Sequence, residues 1–386
     1  MELNKKYILY GTGIEAQLFL FYNKDIIPQI NFCINNLDDN IDEFHKFEVY
    51  QLNEVNLNKG EEGIQILVAA GDEKMYYEMR QNLTDLGLAE FEDFVWTRAF
   101  RKKIAVVNAN CHGPAVIKYL RLSSDFNETY MVYPVPEIQL NNEIPSNLLK
   151  NIDLYIHQDI RENNSVSYKL SDAYICPQLK ANAIDICIPN LVGMGKWMFP
   201  SLGKLDKLMP THTGLMNVFF RDYVLDEAVN QCGSFEEYRD FWINYKYDSA
   251  EHEKRFNNFM NKLCEREKNW DIKISKFIKE NYRHIPCFVD ASHPSKYVMK
   301  EIGRQVASIL GLNDIDDAGS KSGLGISVPI MHDISSYFQL DFETPLEINN
   351  TTFWGEGGRE ERGKEVDNYI RAYLWWYHDI MFAING

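Results

Sequence analysis

The sequence predicts an α/β fold with two parallel-sheet domains, the first Rossmann-like and the second flavodoxin-like. The main reason is that two segments begin alike, with a short apolar strand, a tight turn and then a helical pattern. Strand 6–10 runs into Gly11-Thr12-Gly13, and strand 103–107 runs into residues 108–113. This order of elements opens a parallel α/β unit. Since the two openings lie about a hundred residues apart, we expect a domain boundary near residues 98–102.

Each further element follows from apolar periodicity and from the turn residues that flank it. In a first domain, residues 1–100, we expect strands at 6–10, 30–35, 47–50 and 64–69 and helices at 13–23 and 73–86. In a second domain, residues 101–312, we expect strands at 103–107, 130–133, 152–156, 184–188 and 285–289, helices at 114–122, 168–180 and 296–310, and a helical insert at about 205–281. The last segment, 313–386, is expected to be irregular apart from an amphipathic helix at 366–384.

Composition and charge restrict the classes of function. The chain has 386 residues, 45% of them hydrophobic, and a formal net charge of −16. Such an acidic chain is poorly suited to bind nucleic acid or an anionic membrane through its overall charge. Seven cysteines without a CxxC pair indicate neither a disulfide framework nor a metal site. Without a signal-peptide pattern or a long apolar run, we expect a cytoplasmic protein with no membrane span. The aromatic stripe of the terminal helix, with Tyr369, Tyr373 and Trp376, predicts docking on its own domain or, as the alternative, a homodimer.

The first glycine turn fits the pattern GxGxxA between a strand and a helix. Gly11 and Gly13 would let the pyrophosphate of a nucleotide approach the backbone at the helix N-terminus. The acid that usually follows about 20 residues later is not evident. The alternative is that both glycines only allow close packing of helix on strand. Residues 5–95 resemble the nucleotide-sugar-type Rossmann domains at the N-termini of sugar acyltransferases.

The second turn contains the most informative residue of the chain. Cys111 follows a strand directly and precedes a helix, where the helix dipole stabilises a thiolate nucleophile. Its neighbours Asn110, His112 and Gly113 are candidates for substrate contacts, and the backbone N–H groups of this turn are candidates for an oxyanion hole. The alternative is a small apolar side chain that fills the core, as free cysteines often do.

A thiol nucleophile needs a base and a group that orients the base. His293 is the best-placed histidine, because it lies between the expected strand 285–289 and helix 296–310. Asp290 is three residues earlier and can hold the Nδ1 side of the ring. Asp159 and Glu137 remain alternative acids.

Several short motifs occur in the order seen in the WcbI-type capsular polysaccharide biosynthesis proteins of bacteria, which the chain resembles over about residues 103–312. They are Asn110-Cys111, Ile156-His157-Gln158-Asp159-Ile160-Arg161, Ile188-Pro189-Asn190, Arg266-Glu267 with Asp271-Ile272-Lys273-Ile274-Ser275, and Ser292-His293-Pro294. The last block is also similar to the DxxH block of SGNH hydrolases, with Cys111 where those enzymes have serine. Ser292 stands where we expect asparagine in WcbI-type sequences.

The resemblance implies an acyltransferase, taken as an acetyltransferase, that uses coenzyme A as donor and a sugar hydroxyl as acceptor. From the cysteine pattern we expect no metal cofactor. Gln158 and Asn190, near expected strand ends, are candidate donors to the oxyanion or the substrate. The coenzyme phosphates require a locally basic pocket, for which the candidates are Lys118, Arg121, Arg161, Lys180 and Lys196. Two alternatives remain: an SGNH-type acyl-ester hydrolase, and a non-catalytic protein that binds coenzyme A or a sugar nucleotide.

Overall fold

The described part of the chain forms a mixed α/β fold, which confirms the predicted class. The computed structural model describes residues 6–35, 42–57, 64–135, 143–160, 167–204, 220–312, 315, 328–342, 369–371 and 373–374. The chain divides into two compact units. The first unit comprises Met1–Asn110 and Ser124–Ile186, and the second comprises Cys111–Ser123 and Cys187–Gly386. The three-part domain division made from the sequence stays a prediction.

The first sheet of the first unit has six strands in the order β3-β4-β2-β1-β5-β6. Its strands are β1 (Lys6–Tyr10), β2 (Ile30–Ile34), β3 (Glu43–Phe44), β4 (Phe47–Tyr50), β5 (Ile64–Val68) and β6 (Phe94–Trp96), and its helices are α1 (Ile14–Tyr22) and α2 (Glu73–Asp85). All neighbouring strands pair in parallel except β3 and β4. Four consecutive residues of β1 are buried, as expected for a strand covered on both faces.

The second sheet has four strands in the order β10-β9-β7-β8. Its strands are β7 (Lys103–Asn108), β8 (Tyr130–Val132), β9 (Ile152–Gln158) and β10 (Ile184–Ile188), and the short helices of this unit are α4 (Ser124–Thr129), α5 (Ser146–Leu149) and α6 (Asp172–Ile175). β7 pairs in parallel with both β8 and β9. The carboxyl ends of β7 and β9 therefore lie at one edge of the sheet.

The predicted helix 168–180 is wrong, because the segment is divided into three short pieces. Residues Tyr168–Leu170 and Cys176–Gln178 are 3-10 turns that flank α6. Ser171 before α6 is extended, with φ −76° and ψ 153°. Pro177 has no N–H and clashes with the preceding turn, so a continuous helix cannot pass through it.

The second unit is mainly helical in its described residues. It contains α3 (His112–Leu120), α7 (Tyr223–Gln231), α8 (Phe235–Asn244), α9 (Ser249–Glu267), α10 (Ser275–Asn281), α11 (Lys296–Ile309) and α12 (His332–Phe338), with the antiparallel strands β11 (Leu202–Lys204) and β12 (Phe220–Asp222). The helical character predicted up to residue 281 is confirmed for α7 to α10. Of the predicted helix 366–384, the structure describes 369–371 and 373–374, which are helical. No helix in the described ranges is long and apolar enough to span a membrane.

The predicted strand 285–289 is also wrong. Only Phe288 of this segment makes a β-bridge, with Pro294 in antiparallel orientation. Pro286 has no N–H to contribute to a ladder. The N–H of Val289 donates to the carbonyl of His293 at 3.0 Å, and the N–H of Ser295 donates to the carbonyl of Cys287 at 2.9 Å. These two hydrogen bonds close residues 287–295 into a tight loop, and the segment 285–289 enters this loop from its N-terminal side.

Helix α11 packs closely on α3 because Gly303 lacks a side chain. The predicted helix 296–310 is confirmed as α11, and Val298, Ile302 and Val306 on one of its faces are fully buried. A Cβ at position 303 would lie 2.7 Å from Cγ and 3.0 Å from Cβ of Tyr119 on α3. Because these atoms lie close to the backbone of α3, they can be displaced only at a cost in free energy.

We expect Gly303→Ala to destabilise the protein. Alanine gains about 1 kcal/mol of helix propensity over glycine, but overpacking against Tyr119 costs about 1–3 kcal/mol. The unfolding midpoint should fall by a few degrees in differential scanning calorimetry. Ser308→Ala, at an exposed position of the same helix, should leave it unchanged. An equal or higher midpoint for Gly303→Ala would contradict the close packing.

Candidate active site

A tight loop at the N-terminal end of α11 carries two of the predicted site residues. Asp290 Oδ1 accepts hydrogen bonds from the backbone N–H groups of Ser292 at 2.7 Å and His293 at 2.8 Å. An aspartate whose carboxylate binds the N–H groups two and three residues on is a common turn-forming arrangement. The other carboxylate oxygen, Oδ2, lies 2.7 Å from His293 Nδ1. One carboxylate therefore both shapes the loop and orients the imidazole.

Cys111 lies at the N-cap of α3 and contacts the same imidazole. The side chain of Cys111 is hydrogen-bonded to His293. Because Nδ1 of His293 faces Asp290, Nε2 is the ring nitrogen left for the sulfur. The structure thus brings Cys111, His293 and Asp290 together in the order nucleophile, base and orienting acid. Of the alternative acids, Glu137 lies outside the described residues, and a role for Asp159 stays a prediction.

The electrostatics of this group favour a charged imidazole. Burial of His293 lowers its pKa, but the hydrogen bonds to Asp290 and Cys111 outweigh burial and raise the pKa to about 10. The side chain of His293 is 21% exposed and that of Asp290 is 8% exposed, so water screens the pair only weakly. The charged imidazole is therefore placed to exchange a proton at the Cys111 side chain.

The buried side chain of His112 packs against the loop that carries Asp290 and His293. The His112 side chain is fully buried and is hydrogen-bonded to the backbone of Ser292 and Pro189. Burial, together with repulsion from His293, lowers the pKa of His112 to about 4. His112 is therefore neutral at physiological pH. The ring connects α3 to the loop that carries His293, and a substrate contact of His112 stays a prediction.

Gly195 supports the loop from another side, in the short 3-10 turn Met194–Trp197. Its N–H donates to the carbonyl of Ala291 at 3.0 Å. A Cβ at this position would overlap the backbone carbonyl oxygen of Asp290 and would come within 3.1 Å of Cγ of Phe288. The neighbouring Gly193, with φ +72°, donates its N–H to Ser292 Oγ at 3.2 Å. Ser292, which replaces the asparagine expected in this family, thus accepts a hydrogen bond that ties the loop to the 193–195 turn.

The remaining polar candidates have structural partners. In the first unit, Gln158 is buried and its Oε1 accepts from the backbone N–H of Asn110 at 3.1 Å. Gln158 therefore fixes the backbone immediately before Cys111. In the second unit, Asn190 Oδ1 accepts from the N–H of Val192 at 3.2 Å, which closes a local turn. Gly113 is buried in the first turn of α3, where its N–H belongs to the predicted oxyanion-binding set.

The predicted cofactor-binding residues are placed in different surroundings. Lys180 pairs with Asp153 at 2.7 Å and lines a cavity of about 610 Å³ in the first unit. Lys196, Lys118 and Arg121 are exposed, and Arg161 lies outside the described residues. A binding role for any of these cations stays a prediction.

The glycine turn at residues 11–13 has a packing explanation for one of its two glycines. Gly11 has φ +113°, and a Cβ there would lie 2.8 Å from the carbonyl oxygen of Ala69. Gly13 is the N-cap of α1, with open space where a side chain would point. Packing alone therefore explains Gly11, and nucleotide binding by this turn stays a prediction.

A second cavity, of about 460 Å³, lies beside helix α9 in the second unit. It is lined by Met194, Asn261, Lys262, Glu265 and Arg266. Lys262 and Arg266 are one helical turn apart and share a face of α9. Glu265 is bound by Lys268 at 2.7 Å, which offsets its negative charge. Lys262 was not among the candidates from the sequence, because a lysine in an amphipathic helix normally indicates only a solvated face.

Residues of the motif at 266–275 make hydrogen bonds that join several elements of the second unit. Arg266 donates to the backbone carbonyl of Asn190 at 3.2 Å. The carboxylate of Glu267 accepts from the N–H groups of Ile274 and Ser275 and from Ser275 Oγ, so it caps the start of α10. Asp271 accepts from the N–H of Cys187 at 2.7 Å. The motif thus connects α9, α10 and the end of β10.

Three other cysteines differ clearly from Cys111. Cys33, Cys187 and Cys287 are buried. Burial raises the pKa of the Cys33 and Cys287 thiols to about 12, which keeps them protonated and unreactive.

His293 and His112 together predict how stability depends on pH. The raised pKa of His293 adds stability that is complete below about 6.5 and is lost as pH rises towards about 10. The lowered pKa of His112 has the opposite consequence, because the unfolded chain takes up a proton between about 6.5 and 4 and the folded chain does not. Urea unfolding should therefore show maximum stability near pH 6.5, with slopes of up to about 1.4 kcal/mol per pH unit on each side from these two groups. His157, whose pKa is also raised to about 10, contributes to the alkaline slope as well. His293→Gln should therefore reduce the alkaline slope without removing it and should leave the acid slope in place, and an unchanged alkaline slope would contradict the assignment.

The fold and this group of side chains define an α/β protein with a Cys–His–Asp constellation. A family model of the polysaccharide biosynthesis enzyme WcbI matches residues 104–315, more than half of the chain. The chain therefore belongs to the WcbI family, and the resemblance noted over 103–312 is confirmed. The likeness of residues 5–95 to nucleotide-sugar-type Rossmann domains and of the last block to SGNH hydrolases stays a prediction.

A solved structure of WcbI is similar to this chain, with a TM-score of 0.54 and 16% sequence identity over 72% of this chain and 90% of that chain. It is described as the native form of a polysaccharide biosynthesis enzyme without a disulfide bond between coenzyme A and one of its cysteines. At this identity the similarity shows a shared fold. No curated protein matches the chain.

Proposed function

We propose that this protein is an acyltransferase that moves an acetyl group from coenzyme A to a sugar hydroxyl. The observation that carries the proposal is the His293 imidazole, which is hydrogen-bonded to Cys111 on one side and to Asp290 on the other. Acyl transfer through a covalent intermediate requires a nucleophile and a base that is held in position beside it. Membership of the WcbI family supports a polysaccharide acceptor.

The reaction has two balanced steps. The Cys111 thiolate attacks the thioester carbon, the bond from that carbon to the coenzyme sulfur breaks, and the leaving coenzyme thiolate takes a proton from His293. The sugar hydroxyl then attacks the acetyl carbon and gives its proton to His293, and the Cys111 thiolate leaves. The N–H groups of His112 and Gly113, in the first turn of α3, are suited to stabilise the oxyanion in both steps.

The cavity beside α9 supports coenzyme A as the donor. The phosphates of the coenzyme need local positive charge in a chain with a net charge of −16, and Lys262 and Arg266 provide it on one helix face. Met194, which also lines this cavity, adjoins Gly195, whose backbone contacts the loop of Asp290 and His293. The related WcbI structure, described with reference to coenzyme A and a cysteine, supports the same donor.

Isothermal titration calorimetry with acetyl-coenzyme A tests the donor. Lys262→Ala and Arg266→Ala should each weaken binding by about 10-fold or more, because each removes a charge-assisted contact to phosphate. Lys254→Ala is the matched control, since Lys254 is on the same helix but pairs with Glu251 at 3.0 Å. Absence of acetyl-coenzyme A binding would overturn the donor assignment. Release of acetate from an acetylated glycan without a donor would instead identify a hydrolase, and binding without any turnover would identify a coenzyme-binding protein.

A further inference from the structure

A cluster of four side chains at the carboxyl end of β9 has no part in the proposed reaction. His157 is the next-to-last residue of β9, and its side chain is only 6% exposed. Its Nδ1 lies 2.9 Å from Asp172 Oδ1, and its Nε2 lies 3.0 Å from Asp185 Oδ1. Cys176 completes the cluster, because one ligand atom each of His157, Asp172 and Cys176 lie within 4.8 Å of one another.

We propose that His157, Asp172 and Cys176 form a Zn²⁺ site, in which Asp185 orients the histidine. Imidazole, thiolate and carboxylate are the three ligand types that zinc prefers in proteins. The thiolate argues against Mg²⁺ and Ca²⁺, which take oxygen ligands. A ligating histidine usually donates its other ring N–H to a carboxylate, and Asp185 is placed at Nε2 to accept that bond.

Neighbouring groups fix the positions of His157 and Asp172. The ring of Tyr155 stacks on that of His157, with centroids 4.8 Å apart and planes 9° from parallel. Asp172 is held by a second contact, because its Oδ2 accepts from the N–H of Ile160 at 3.1 Å. Tetrahedral zinc places its ligand atoms about 3.5 Å apart, so binding needs a contraction of about 1 Å. Asp172 begins the one-turn helix α6 and Cys176 begins the 3-10 turn that follows it, and these short pieces allow such a movement more readily than one continuous helix would.

Charge is balanced when zinc binds. In the metal-free cluster both ring nitrogens face carboxylate oxygens. Zinc replaces the proton on Nδ1 and the proton on the Cys176 sulfur, and both protons pass to solvent. Two positive charges thus leave as one dication enters, and the summed charge of the cluster stays the same. Nδ1 also gives up its 3.1 Å contact with the backbone carbonyl of Gln158.

Titration of the full, chelator-treated chain with Zn²⁺ tests the site. Calorimetry should show one ion per chain, and Co²⁺ in place of zinc should give a thiolate-to-cobalt absorption band. Cys176→Ser should abolish that band and weaken zinc binding by at least about 10-fold, and Asp185→Asn should weaken it by about 10-fold while keeping the band. Cys264→Ser, which changes an exposed cysteine on α9, is the control and should alter neither readout.

Zinc should also raise the unfolding temperature of the wild type and of Asp185→Asn, and this readout does not depend on enzyme activity. Two results would overturn the proposal: no stoichiometric zinc in the wild type, or an unchanged cobalt band in Cys176→Ser. In either case the cluster is a histidine–carboxylate ion-pair network and holds no metal. Asp185→Asn retains all three ligands, so it keeps the proposal testable if Cys176→Ser fails to fold.

Discussion

Alanine at position 111 should abolish the release of free coenzyme A from acetyl-coenzyme A. With water as a slow acceptor, this release reports attack on the thioester even before the natural sugar is identified. Removing the nucleophile of a covalent mechanism lowers turnover by orders of magnitude, and we expect a loss of at least about 10³-fold. The affinity for acetyl-coenzyme A should change by no more than a few-fold, because Lys262 and Arg266 are untouched.

Two variants make the test specific. Cys264→Ala removes an exposed cysteine on the same unit and should retain full activity. Cys111→Ser should be nearly as inactive as Cys111→Ala, because a hydroxyl is a weak nucleophile at neutral pH. Full turnover by Cys111→Ala would show that Cys111 is structural and that the coenzyme sulfur is displaced by another group.

The second large effect concerns His293. His293→Gln should lower the rate of coenzyme A release by about 10²–10⁴-fold, the usual contribution of a positioned acid or base. It should also slow the alkylation of Cys111 by iodoacetamide at pH 7, because the sulfur loses its cationic neighbour. Labelling of Cys264, followed by peptide mapping in the same sample, should be unaffected.

Asp290→Asn tests whether the carboxylate contributes by orienting His293 or by stabilising its charge. Asparagine keeps an oxygen that can accept the N–H groups of Ser292 and His293, but it loses the negative charge that holds the imidazolium. We expect a smaller loss of rate than in His293→Gln and a lower pKa of His293, measured by NMR titration. Equal activity of wild type and Asp290→Asn would show that the carboxylate only shapes the loop.

The sequence was sufficient for the parts of this fold that depend on local patterns. The strands at 6–10 and 103–108 and the apolar face of α11 are evident from apolar runs and helical spacing. The contact of Asp290 with His293 was also predictable, since a spacing of three residues in a loop permits it. Cys111 was identified through its place after a strand, although no local pattern required that α3 and α11 bring it to His293.

Other features depend on residues far apart in the sequence and could not be predicted. The segment 285–289 has the composition of a strand, but its hydrogen bonds go to residues 293–295 across a loop. Nothing near Gly195 indicates that it lies against the carbonyl of Asp290. The cluster of His157, Asp172 and Cys176 has no known ligand spacing, and it forms only because β9 ends where two short turns pack.

Mass spectrometry of a rapidly quenched reaction tests the central claim most directly. The protein is mixed with acetyl-coenzyme A without a sugar, quenched in acid to preserve thioesters, and digested. The account predicts an acetyl group on the peptide that contains Cys111, formed at the rate of coenzyme A release and absent from Cys111→Ala. Undiminished coenzyme A release with no acetyl group on Cys111 at any time would contradict it.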